Sequence, residues 1–155
     1  MARRSAGLLL YRRRGAGLEV LLAHPGGPMW TNRDEGAWSL PKGEVEEGEE
    51  ARDVARREFE EETGQTPPEN GYVDLGEVKQ KSGKLVIAWA AEGDLDPSTA
   101  TSNTFPLQWP PGSGRWITIP EVDRVEWFAA ADARRKLNPA QVAFVDRLVA
   151  ELGAR

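Results

Sequence analysis

Apolar residues fall along this chain in two rhythms. From Ser5 to Tyr11 and from Leu18 to Ala23 they run almost without interruption, as Leu8-Leu9-Leu10 and Val20-Leu21-Leu22. Runs this short and this apolar predict strands covered on both faces, joined by a turn around Arg14-Gly15-Ala16-Gly17. Tyr72–Gln80 and Lys84–Ala91 predict a second hairpin about Ser82-Gly83. Ile117 and Ile119 then alternate with polar residues, and after a turn at Pro120–Asp123 the run Val125-Glu126-Trp127-Phe128 continues as a strand. The other rhythm is helical. It covers about Glu49 to Thr63, where Gly64 makes a C-cap and Pro67-Pro68 prevents continuation. It returns over Asp132–Leu137 and Asn138–Leu152, the latter opened by Asn138-Pro139 as cap and first helical position. In that last segment Val142, Val145, Leu148, Val149 and Leu152 form an apolar stripe.

Three stretches fit neither rhythm. Pro25–Gly36 is a loop by its glycine and proline content, and Ala37–Pro41 is a short strand that leads into Lys42-Gly43. Asp94–Gly114 is long and irregular, with Pro97, Pro106, Pro110, Pro111, Gly112 and Gly114. A connection of that length is often functional.

The 155 residues are 39% apolar and 29% charged, which predicts one domain over 1–155 with a real core. The absence of cysteine excludes a disulfide framework and a thiolate zinc site. The apolar run inside MARRSAGLLLYRRR is shorter than a signal peptide's, and nothing approaches membrane-spanning length. A cytoplasmic protein with no membrane partner is expected. A net charge of −5 argues against non-specific nucleic-acid binding.

That charge is unevenly placed. Between Glu44 and Glu62 ten acids face three arginines, a net −7 that leaves the remainder near +2. On a helix, Glu58, Glu61 and Glu62 fall within about 100° of arc, shared with Ala51, Val54 and Ala55, while Glu60 points away. Glu50, Asp53 and Glu60 read as a solvated face. The other three lie on the side that should face the protein, where like charges repel and burial costs more. A cation is expected to hold them, and hard divalent metals prefer carboxylate oxygens. Arg57 could pair with one acid, not three.

The positions Gly43, Glu49, Arg57-Glu58-Phe59, Glu61-Glu62 and Gly64, at these spacings, resemble the signature box of the Nudix hydrolases over the 23 residues Gly43–Gln65. Gln65, where that family usually has an aliphatic residue, is the one departure, and it touches none of the acids. The fold expected is α/β, a Nudix-type α/β/α sandwich with a mixed sheet between the acid-rich helix and the C-terminal helix. The resemblance implies hydrolysis of a nucleoside diphosphate linked to another group, with Mg²⁺ or Mn²⁺ required. It implies metal binding by Glu58, Glu61 and Glu62, completed by a backbone carbonyl at Lys42 or its neighbour. Glu121 occupies the place of a further glutamate near the metals in some members, with Glu126 as the alternative, so Glu58 and Glu121 are the two candidates for general base. Arg57 is expected to orient Glu49 or a helix neighbour by a charge-assisted hydrogen bond.

For the substrate, Lys42 puts a mobile charge beside phosphates and Gly43 allows close backbone approach. Trp30 and Arg33 could receive a base or a phosphate, and Phe105, Trp109 and Trp116 are candidate stacking surfaces. His24 is expected to be structural. The entry Trp38-Ser39-Leu40-Pro41-Lys42-Gly43 resembles that of Nudix branches acting on dinucleoside polyphosphates and diphosphoinositol polyphosphates. Lys81, Ser82 and Gly83 stand where other branches carry a tyrosine or proline marker, so those markers do not help. A small-molecule nucleotide is the expected partner, either a nucleoside triphosphate or a dinucleoside polyphosphate. The alternatives are ADP-ribose, a diphosphoinositol polyphosphate, or a non-catalytic nucleotide-binding module. The intact run Arg57-Glu58-Phe59-Glu60-Glu61-Glu62 favours catalysis. A third reading is a structural acidic helix or a calcium site, and the alternating Asp and Asn spacing of an EF-hand, which would favour calcium, is absent.

Overall fold

A computed structural model describes residues 3–15 and 17–153. Met1 and Ala2 of the basic N-terminal stretch, and Ala16 of the expected turn, lie outside the described residues. Strands β1 (Arg4–Arg14) and β2 (Gly17–Pro25) form the expected antiparallel hairpin, in register from Tyr11 opposite Val20. β3 (Lys42–Glu44) pairs antiparallel with the start of β1. Helix α1 (Ala51–Thr63) follows, then the hairpin β4 (Val73–Lys79) and β5 (Leu85–Glu92). β5 lies parallel to β1, and β8 (Val122–Ala129) closes the far edge against β2. The sheet order is β4-β5-β1-β2-β8 with β3 attached to β1, a mixed sheet.

Alternation along β1 decides the layers. Leu9 and Tyr11, with Val20 and Leu22, pack against Phe144, Val145 and Leu148 of α3 (Val142–Gly153) and Ala133 of α2 (Ala130–Lys136). Leu8 and Leu10, with Leu21, pack against Phe59 of α1, and Ala6 meets Val54 and Ala55. Both faces of β1 are thus buried, which is why its apolar run is continuous. Each such leucine stabilises the fold by about 1.5–3 kcal/mol. The expected α/β/α sandwich is the observed architecture. Among the described residues, no helix is long and apolar enough to cross a membrane.

Several boundaries differ from expectation. α1 begins at Ala51 because Glu49 is used before the helix: its carboxylate accepts the Glu46 amide at 2.8 Å, and Gly48 turns the chain with φ 85°. The helix ends as expected, with Gly64 at φ 72° donating its amide to the Glu60 carbonyl. The strand expected over Ala37–Pro41 is displaced to Lys42–Glu44. Pro41 has no amide to extend a ladder, and Trp38 and Ser39 make only isolated bridges, to Leu137 and Ala23. Within the supposedly irregular Asp94–Gly114, Thr104–Gln108 forms β6, which among the described residues pairs only with β7 (Trp116–Pro120). Its central Pro106 is tolerated because a two-stranded ribbon has only edge strands. The C-terminal segment opens with a 3₁₀ turn, Pro139–Gln141, capped by the Asn138 side chain, before α3 proper. On α3 the buried seam is Phe144, Val145 and Leu148, whereas Val149 is 41% exposed.

Candidate active site

Gly43 on β3 crosses α1 so closely that a Cβ there would overlap the Glu58 carboxylate. This contact explains a glycine at that position and sets the floor of a cleft. Its walls are Ser5, Lys42, Glu44, Glu46, Arg57, Glu58, Glu62, Lys84 and Glu121, drawn from β1, β3, α1, the edge of β5 and the approach to β8. Five acids there face three cations.

Glu62 is only 8% exposed. Burial, then repulsion from Glu58 and Glu121, raises its pKa well above the usual carboxylate range, with Lys42 opposing. The ionised form of Glu62 is thus disfavoured by its surroundings, Glu58 foremost among the neighbouring charges. Glu58 is raised as well, first by burial and then by Glu61. The Lys42 pKa is lowered, by burial first and by Lys84 second, while Glu62, Glu121 and Glu44 pull it back up. Arg57 opposes the rise at Glu58 by its charge, while its Nη1 donates to Glu49 Oε2 at 2.6 Å, which lowers the Glu49 pKa and raises that of Arg57.

Of the expected metal-binding residues, Glu58, Glu62 and Lys42 share the cleft, and Glu61 does not line it. Glu61 is exposed, a correction to the inward reading of all three acids. It lies at the margin of the inward arc, and only its reach toward Glu58 ties it to the cluster. Among the described residues no three Asp, Glu or His side chains converge on a single point as a ready-made cage. The donor set nevertheless fits a hard divalent cation. It consists of carboxylate oxygens in acidic excess, with Glu62 buried beside Glu58 and Glu121. Beside them, among the described residues, the Ser5 hydroxyl is the buried side-chain polar group with no hydrogen-bond partner.

Glu121 and Gly43 lie in the cleft as expected; Glu126 lies elsewhere. Trp30, Arg33 and Trp109 do not line it. Arg33 instead lies over the Trp30 ring at 5.5 Å, and its carbonyl accepts from His24 Nε2 at 2.6 Å. His24 is fully buried and also bonds Asp123 through Nδ1 at 3.0 Å, a structural role. Trp109 sits at the end of β6, its amide donating to the Arg115 carbonyl. Lys84 and Ser5 were missed by sequence reasoning. The parallel pairing of β1 with β5, Arg4 opposite Leu85, brings them together, and neither carries a local motif. A cavity of about 700 Å³ beside Arg12, Asp94 and Trp127 lies toward the other end of β1. Arg12 is already spent there, stacked on Trp127 at 4.1 Å and bonded to Glu19 and Asp94.

Comparison with known proteins agrees with this architecture. The profile of the NUDIX domain matches residues 1–148. An RNA pyrophosphohydrolase of Caulobacter vibrioides is 44% identical over 55 residues, which is 32% of this chain and 32% of the relative. The alignment thus spans about a third of the length of the curated relatives it matches. Among solved structures, an Ap4A hydrolase of C. elegans superposes with a TM-score of 0.63 at 22% identity, covering 98% of this chain and 99% of that one. The NUDIX domain of Shewanella oneidensis NrtR, complexed with ADP ribose, gives 0.66 at 17% identity, covering 98% and 89%. A mutT/nudix family protein from Listeria innocua gives 0.62 at 19%, covering 98% and 94%. With the acid box on α1 and a profile match over nearly its whole length, the chain belongs to the Nudix family.

Proposed function

We propose that this Nudix hydrolase cleaves a phosphoanhydride bond in a nucleoside triphosphate or a dinucleoside polyphosphate, and that residues 1–155 act as one domain. The observation that carries this is the cleft in which Glu58, Glu62 and Glu121 face Lys42 and Lys84 across Gly43. Acids suited to a divalent ion and cations suited to phosphate there share one small space. A domain that only bound a nucleotide has little use for so many uncompensated carboxylates. The single domain is supported by one sheet that takes strands from β1 to β8 and is covered by α3.

Glu58 and Glu62, joined by Glu61 and by the backbone carbonyl at Lys42, would hold Mg²⁺ or Mn²⁺. Such an ion, when bound, screens phosphate charge and lowers the pKa of a water. Lys42 and Lys84 neutralise phosphate oxygens, and Gly43 lets the chain lie against them. Glu58 or Glu121 takes the proton of the attacking water as its oxygen bonds to phosphorus and the bridging oxygen leaves with its electron pair. Arg57 fixes Glu49 and so holds the Glu44–Glu50 turn against α1. The test is turnover of a panel of nucleoside triphosphates, dinucleoside polyphosphates, ADP-ribose and diphosphoinositol polyphosphates with Mg²⁺ or Mn²⁺, with products identified. Binding without release of any phosphorylated product overturns the reading.

A further inference from the structure

The β6–β7 ribbon is the one substantial element that the sandwich does not use. Its strands pair with each other and, among the described residues, with no other strand. Yet its two ends meet beside the acid cleft, one bonded to the last turn of α1 and the other running into Glu121 of the cleft wall. The Asn103 amide, one residue before β6, donates to the Glu61 carbonyl at 2.8 Å, and the Glu121 amide, one residue after β7, donates to the Asn103 carbonyl at 2.9 Å. The loop bearing Trp30 and Arg33 leaves from the same root: the Gly26 amide bonds the Glu121 carbonyl at 3.0 Å, and Ile119 lies against Gly27.

Register divides the ribbon into two unlike faces. Phe105 stands opposite Ile119 and Leu107 opposite Ile117, so these four apolar side chains share one face. Thr104, Pro106, Gln108, Trp116 and Thr118 take the other. Only Ile119 of the apolar four is fully buried, and Ile117 is 40% exposed. Between Thr104 and Pro120 the only charge is Arg115. Ile117 lies about 13 Å along the strand from Glu121 at the rise of an extended chain, which is within a nucleotide's reach.

We propose that this apolar face reads the nucleobase of the substrate whose phosphates occupy the acid cleft; the inference rests on the hydrolase reading above. The shared root puts the ribbon and the cleft within reach of one molecule that joins an uncharged group to a polyphosphate. The face suits an uncharged apolar group, because it offers Phe105, Leu107, Ile117 and Ile119 and almost no charge. A nucleobase meets both conditions and gains from contact with aromatic and aliphatic surface. A ring of phosphates, as in a diphosphoinositol polyphosphate, would need a row of cations that the ribbon lacks.

The test compares Ile117→Asp and Thr118→Ala proteins with the unaltered chain, using ATP, diadenosine tetraphosphate and inorganic tripolyphosphate with Mg²⁺. Ile117→Asp is expected to raise KM for both nucleotides about tenfold or more while kcat changes little. Its parameters for tripolyphosphate should stay the same, which also shows that the cleft is folded. Thr118→Ala, on the other face, is expected to match the parent. Equal losses on tripolyphosphate and nucleotides, or no loss on either, overturn the proposal. Calorimetric binding of ATP and tripolyphosphate in Ca²⁺ separates the two readings. Binding that depends on the base without turnover rejects the hydrolase and keeps the ribbon's role. Binding indifferent to the base, or no binding, rejects that role whatever the turnover.

Discussion

Arg57 reaches out of α1 to donate to Glu49, eight residues earlier, at 2.6 Å. The pair ties the helix to the turn that carries Glu44 and Glu46 to the cleft. Both partners retain solvent contact, 47% and 28%, so water screens the bond and it contributes little to stability. Its effect should appear in turnover. Arg57→Gln is expected to leave the melting temperature nearly unchanged and to lower metal-dependent kcat/KM by about 10–100-fold, the scale of losing a hydrogen-bonded support next to a metal-binding residue, here Glu58. Differential scanning fluorimetry beside a phosphate-release assay checks both halves.

Glu62→Gln and Glu61→Gln are each expected to cut metal-dependent turnover by orders of magnitude with the fold intact. Their stabilities should differ. Replacing a side chain whose ionisation is opposed by burial, as at Glu62, should raise the melting temperature in EDTA, whereas the change at exposed Glu61 should not move it. Near-normal rates in either protein would remove that residue from the metal set.

The raised pKa of Glu62 gives a pH dependence of defined sign. The folded state holds this proton more tightly than the unfolded chain does. The associated stability is complete below the ordinary glutamate pKa and is lost as pH rises through the folded value. In EDTA the melting temperature should therefore fall between weakly acidic and alkaline pH, and fall less in Glu62→Gln. Mg²⁺ requires the carboxylate, so its binding should release protons and tighten as pH rises. Calorimetry in buffers of different ionisation enthalpy measures the release directly.

Gly43→Ala places a methyl group where the Glu58 carboxylate lies. The carboxylate must move, because the glycine's own backbone is held in β3 by its pairing with Ala6. Turnover is expected to drop by about 100-fold or more, the scale of an ångström-sized misplacement at a reacting centre. Circular dichroism should remain that of the parent. Unchanged kinetics would mean that Glu58 has no fixed position to lose.

Much of this was legible in the sequence, for particular reasons. The acid box announced itself because α1 keeps its chemistry on consecutive turns, where spacing alone reports direction. Leu8-Leu9-Leu10 revealed a doubly covered strand because burial on both faces leaves no polar position. The failures are non-local. Ser5 and Lys84 meet only through the pairing of strands some eighty residues apart. β6 was hidden because Pro106, Pro110 and Pro111 read as irregular when no partner strand is in view. Glu61 looked inward on the helical wheel, yet it stands at the edge of the arc, where a few degrees decide between cleft and solvent. Phe144 was passed over in favour of Val149, which packing leaves largely outside.

The bond between Glu121 and Asn103 closes the chain across the foot of the ribbon, so that residues 104–120 begin and end at nearly one point. An appendage closed in this way is interchangeable. It can lengthen, shorten or be traded for another segment without shifting the register of any strand in the sandwich. The ribbon can therefore change in length or composition while the acid cleft beneath it stays fixed.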